Sequence, residues 1–114
     1  MNAEVFEAEV EHVVESLPPE IRSQLDNVTV EVAFRQPTDV TEPLLGLYEG
    51  VPLPERGIDY FAVTPDRIRV FYHQHQALGL TDRDLRIEIR RTVLHEIGHH
   101  LGISDVRLKE LGWD

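Results

Sequence analysis

The segment His95-Glu96-Ile97-Gly98-His99 sets two imidazoles four positions apart, with a carboxylate directly after the first. On a helix, side chains four apart project from the same side about 6 Å from one another, so His95 and His99 can converge on one cation. Glu96 lies about 100° further round the helix. It flanks that cation without ligating it, where a carboxylate can deprotonate a water activated by the metal. The spacing suits Zn2+. A catalytic zinc normally holds three protein ligands and keeps one open position, so two histidines leave it one ligand short. Asp105 is the third candidate. Gly102 can take the left-handed conformation that ends a helix, and a residue three further on can then face the metal. Asp105 also stands at the start of a second helical run, where it would cap the helix, and the two roles can coexist. With no cysteine in the chain, thiol nucleophiles, disulfides and cysteine-ligated metals are excluded.

Other residues invite chemistry less strongly. His73 and His75 form a His-x-His pair that would bind a metal if both lay on one strand face. At the end of a predicted strand they read instead as solvent-exposed. His100 points elsewhere on the helix and reads as a surface or packing residue, and His12 lies on the surface among glutamates. Tyr48, Tyr60 and Tyr72 each carry a hydroxyl that could meet an oxyanion. Tyr48 ranks first because its loop has no other evident purpose, although half-buried packing is the simpler role for all three.

The elements that must position these groups follow from periodicity. Val5, Phe6, Val10, Val13, Val14 and Leu17 recur at three- and four-residue steps, which predicts an amphipathic helix over 3–17, stopped by Pro18-Pro19. Pro19 can open a short second helix through 20–25. Val28, Val30, Val32 and Phe34 then alternate with Thr29, Glu31, Ala33 and Arg35, the pattern of a half-buried strand. Residues 36–58 are rich in Pro and Gly, with one apolar island at 44–48 that reads as either a short edge strand or a turn-rich loop. Strands over 58–63 and 67–72, joined by Thr64-Pro65-Asp66, form a predicted hairpin. Either 46–48 or one strand of that hairpin would offer a free edge to an extended peptide. Thr81-Asp82-Arg83-Asp84 resembles a capping box opening a long helix, whose stripe Leu85, Ile89, Val93, Leu94, Ile97 and Leu101 runs to Gly102. A brief helix over 104–111 closes the pattern.

The chain has 114 residues and a formal charge of -10, enough for one hydrophobic core. Residues 1–50 hold 11 acids and 2 arginines, a net of -9, against 10 acids and 9 bases in 51–114, a net of -1. The excess acid argues against nucleic acid or an anionic membrane as the main partner. No stretch approaches the roughly 20 apolar residues of a membrane span, and residues 1–7 lack the features of a signal peptide. A cytoplasmic protein is expected; the sequence specifies no oligomeric state and is compatible with a monomer.

The full pattern, H-E-x-x-H-x-x-G-x-x-D, resembles the long zinc signature of the metzincins with aspartate in place of the final histidine, as in snapalysin-type proteases. Residues 44–53, Thr92-Val93-Leu94 and Leu108-Lys109-Glu110-Leu111-Gly112 are further similar to the short bacterial zincin-like proteins called minimal metalloproteases. The resemblance covers nearly the whole chain. It implies an α+β, zincin-like (metzincin-like) single domain over 1–114, with a small sheet packed against an N-terminal helix and a long active-site helix. It also implies zinc on His95, His99 and Asp105, Glu96 as catalytic base, and a peptide or protein substrate. The chain departs from the metzincins in lacking their methionine turn, since its only methionine is Met1, and little chain follows Asp105 to form a primed-side subdomain. These departures give weight to an alternative, a zinc-binding interaction module with little or no peptidase activity.

Overall fold

The computed structural model describes residues 1–58, 60 and 64–113. Helix α1 spans Ala3–Glu15, and the Asn2 side chain caps it by accepting the Val5 N–H at 2.8 Å. Phe6, Val10 and Val13 on its inner face are buried, as is Leu17 just beyond it. The short helix α2 covers Pro19–Arg22. Among the described residues three strands follow, β1 (Val28–Ala33), β2 (Gly46–Glu49) and β3 (Asp66–Phe71). They form one sheet in the order β1-β3-β2.

Strand β3 is central. It pairs in parallel with β1, Val28 facing Asp66 and Ala33 facing Phe71, and antiparallel with β2, Gly46 facing Val70 and Glu49 facing Arg67. This corrects the predicted hairpin. Among the described residues both sides of β3 are taken, by β1 and by β2. Ile58 is fully exposed, while residues 59 and 61–63 lie outside the described residues. The apolar island at 44–48 resolves to an edge strand. Phe34, expected to continue the inward face of β1, falls past the strand end and is 59% exposed, lying against Tyr72 and His73.

Alternation along β3 sorts the two faces of the sheet. Ile68 and Val70 are fully buried, whereas Arg67 and Arg69 point the other way and pair with Glu31 and Glu49. Such exposed ion pairs contribute about 0–1 kcal/mol each, so they keep that face hydrated more than they stabilise it. The opposite face is covered by α1 and by α4 (Asp82–His100), which supplies Leu85, Ile89, Val93, Leu94 and Ile97 to the core. Thr81 caps α4 by accepting the Asp84 N–H at 3.2 Å. A cap contributes about 1 kcal/mol, against about 1.5–3 kcal/mol for each large apolar side chain fully buried. The core therefore fixes how α4 is rotated and which of its residues face outward.

Tyr72 begins helix α3 (Tyr72–Gln76) instead of ending a strand. His75 is consequently fully buried, which corrects its expected exposure. Its Nδ1–H donates to the Phe71 carbonyl at 2.8 Å, and its Nε2 lies 3.0 Å from the Thr92 hydroxyl on α4. Burial holds this imidazole below its ordinary pKa of 6.5 and outweighs the hydrogen bond to Phe71. The folded chain thus keeps His75 neutral, while the unfolded chain takes up a proton near pH 6.5. Stability contributed here is present above that pH and is lost as the pH falls below it. In thermal unfolding with a chelator present, wild type should lose more stability between pH 7 and pH 5 than His75→Gln. Equal losses would refute the assignment.

Candidate active site

The last two turns of α4 carry His95, Glu96 and His99, placed there by the core stripe one face away. The His95 and His99 rings stand 4.6 Å apart, centroid to centroid, at 68° to one another. One donor atom from each of His95, Glu96 and His99 falls within 4.8 Å of the other two. Both histidines are half-buried, and Glu96 is 6% exposed. Its Oε1 lies 3.2 Å from His99 Nδ1. Burial pushes the Glu96 carboxyl above the ordinary value of 4.5, against the opposing influence of His99 and His95. A carboxylate raised in this way is a better proton acceptor near neutral pH. Gly46, at the start of the edge strand, and Glu96 line the same cavity.

Asp105 reaches the site by a tight reversal. Gly102 adopts φ 76°, the left-handed conformation expected of it. Its N–H donates to the His99 carbonyl at 3.0 Å, and the Ile103 N–H donates to that of Gly98 at 2.9 Å. This paired arrangement ends the helix and turns the chain back. Helix α5 (Asp105–Leu111) begins at once, capped by Ser104, whose hydroxyl accepts the Arg107 N–H at 3.2 Å. Ser104 therefore does the capping for which Asp105 was a candidate, and the Asp105 carboxylate lies with Oδ1 3.1 Å from His99 Nε2. Among the described residues it meets His99 alone, and it is 82% exposed, so it stands beside the compact group of three. Leu108 of α5, fully buried, rests on Gly98, where an added Cβ would come within 2.2 Å of its Cδ2. The small residue inside the motif is thus the seat of α5, and that seat keeps Asp105 near His99.

The remaining candidates are engaged elsewhere. Tyr48 donates its hydroxyl to Asp66 and lies 3.2 Å from His100 Nδ1, so it is not an oxyanion donor in this arrangement. Tyr60 accepts from Asn27, and Tyr72 donates to the Met1 carbonyl. His100 is fully buried and donates from Nε2 to the Gln24 carbonyl at 2.8 Å, a packing role. His12 is exposed.

Asp66 organises a buried network that sequence reasoning missed. Arg56 donates to its Oδ2 at 2.8 Å, the Val51 N–H donates to Oδ1 at 3.2 Å, and His100 Nδ1 stands 3.5 Å from Oδ2. Burial pulls the Asp66 carboxyl upward, but the hydrogen bonds from Tyr48 and Arg56 outweigh it and hold the pKa below 3.8. Burial and the bond to Asp66 push the Tyr48 hydroxyl well above its ordinary value. The network ties β2, β3 and the end of α4 together, next to His99. Asp66 gave no signal beyond a turn preference after Pro65.

Two imidazoles with carboxylates at their edges fit a divalent cation of zinc's preferences. The fold is α+β and zincin-like, with the motif helix packed behind a mixed three-stranded sheet. The profile of the zincin-like metallopeptidase family matches residues 25–113, and the chain belongs to that family. The match runs from before β1 through α5, so it takes in the sheet, the motif and Asp105. A search of curated proteins returned no match. Among the described residues, no helix is long and apolar enough to cross a membrane.

Proposed function

We propose that this chain is a zinc-dependent peptidase, one domain over residues 1–114, in which His95, His99 and Asp105 hold the metal and Glu96 is the catalytic base. The observation that carries the reading is the buried Glu96 carboxylate, set between the two motif histidines and sharing a cavity with the edge strand. Zinc, when bound, supplies Lewis acidity that lowers the pKa of water and polarises a carbonyl. Glu96 takes the proton from the attacking water and passes it to the leaving amine. His99 turns Nε2 toward Asp105, 3.1 Å away, the edge at which the two would share the metal, and its other ring nitrogen toward Glu96. Strand β2 has no strand partner on its outer side among the described residues, so an extended substrate can align along it. A cytoplasmic location and peptide or protein substrates belong to the same proposal.

The test is zinc quantification on purified protein, paired with a peptide-library digest. Wild type should carry about one zinc per chain, and His99→Ala should lose it without unfolding. A wild-type protein with no affinity for zinc would overturn the site. Zinc binding without cleavage of any peptide would favour the interaction module instead.

A further inference from the structure

Next to His95 and Glu96 a cavity of about 250 Å³ opens between α4 and the segment leading into β2. One wall is apolar, made by Pro43, Leu44 and Leu45. The other is a single stripe of α4, with Glu88, Arg91, Thr92 and His95 at positions i, i+3, i+4 and i+7. Two turns of helix separate Glu88 from His95, about 10 Å along the axis. The cavity is therefore a slot with the candidate base at one end and a carboxylate at the other.

The two charges at the far end are not equivalent. The Glu88 side chain is 21% exposed and that of Arg91 is 52% exposed, joined by one contact of 3.4 Å. Arg91 can swing into solvent at little cost, since an exposed helical pair of this kind contributes only about 0.3–0.5 kcal/mol. Glu88 is the more enclosed of the two and stays in the slot. An apolar wall leading to a carboxylate suits a side chain with a long aliphatic stem and a cationic head. Short apolar side chains would leave the Glu88 end unfilled, and acidic ones would meet Glu88 and Glu96. The charge of -10 on the whole chain favours the approach of cationic peptides as well.

We infer that this slot binds a lysine or arginine side chain of the peptide, with Glu88 as the specificity-determining residue. The inference rests on the peptidase reading for the placement of the backbone but not for the recognition itself. It is tested on zinc-loaded Glu96→Gln protein with three sets of fluorescent hexapeptides, in which lysine, norleucine or glutamate is walked through each position. The best lysine peptide should bind about tenfold tighter than its norleucine counterpart, the factor expected of one charge-assisted hydrogen bond. Adding Glu88→Gln should erase that difference, and adding Arg91→Ala should widen it. Equal or tighter binding of norleucine or glutamate peptides, a preference that survives Glu88→Gln, or no binding in any set overturns the inference. Wild-type protein that binds the peptides in the expected order but cleaves none defeats the peptidase reading and leaves this one standing. Cleavage without a preference for lysine does the reverse.

Discussion

Substituting Glu96 by glutamine is expected to remove peptide hydrolysis while zinc stays bound. Glutamine keeps the shape and a hydrogen-bonding oxygen at this position but has no basic site for the proton. Loss of a positioned acid–base group lowers rates by about 100- to 10,000-fold. Stability discriminates this loss from general damage. Because burial raises the Glu96 pKa above 4.5, the ionised carboxylate is disfavoured in the folded chain relative to the unfolded one. At pH 7 a neutral amide relieves that cost in the metal-free chain, so with a chelator present the melting temperature should hold or rise, while turnover of the zinc-loaded variant disappears. Activity within a few-fold of wild type, at full zinc content, would remove Glu96 from the mechanism.

The largest effect on stability is expected at Asp66. Its side chain is 3% exposed and that of Arg56 is 7% exposed, so Asp66→Asn leaves a buried guanidinium without its counter-charge. Breaking such a pair typically costs about 3–5 kcal/mol, a large share of the roughly 5–15 kcal/mol that holds a domain folded. Urea unfolding at pH 7 measures it directly. The depressed Asp66 pKa sets the pH window. Its stabilisation is present above 3.8 and is lost as the pH falls through the folded value. Replacing Arg56 by methionine as well should recover part of the loss, because no unpaired charge remains. A penalty under about 1 kcal/mol for Asp66→Asn would mean that water or a rearranged loop satisfies Arg56.

The site was legible where its geometry is local. His95, Glu96 and His99 share two turns of one helix, and the reversal at Gly102 depends on a left-handed residue that glycine supplies. Thr81 announces the start of α4 for the same reason, since a cap is a contact between near neighbours. The sheet was legible only in its pieces. Strand β3 alternates clearly, but choosing β1 and β2 as its partners depends on contacts far apart in sequence, and the apolar residues of 58–63 offered a nearer and simpler pairing. His75 was misread for a related reason: once Tyr72 starts a helix, the His-x-His spacing no longer describes a strand face. Asp66 shows the limit most plainly. A single aspartate after a proline carries no mark of the arginine, tyrosine and histidine that three other segments bring to it.

The parallel pairing of β1 with β3 carries a consequence for the order in which the protein assembles. Parallel neighbours need a long crossover, and here that crossover contains β2 itself, between Ala33 and Asp66. Helix α4, with both histidines and Glu96, is a local structure whose hydrogen bonds need no distant partner. The edge strand has no ladder to join until β3 is in place, and closing the loop between β1 and β3 carries an entropic cost before either pairing stabilises it. The motif residues of α4 are thus written into nearest-neighbour contacts, and the edge strand beside them arrives with the slowest and most distant ones.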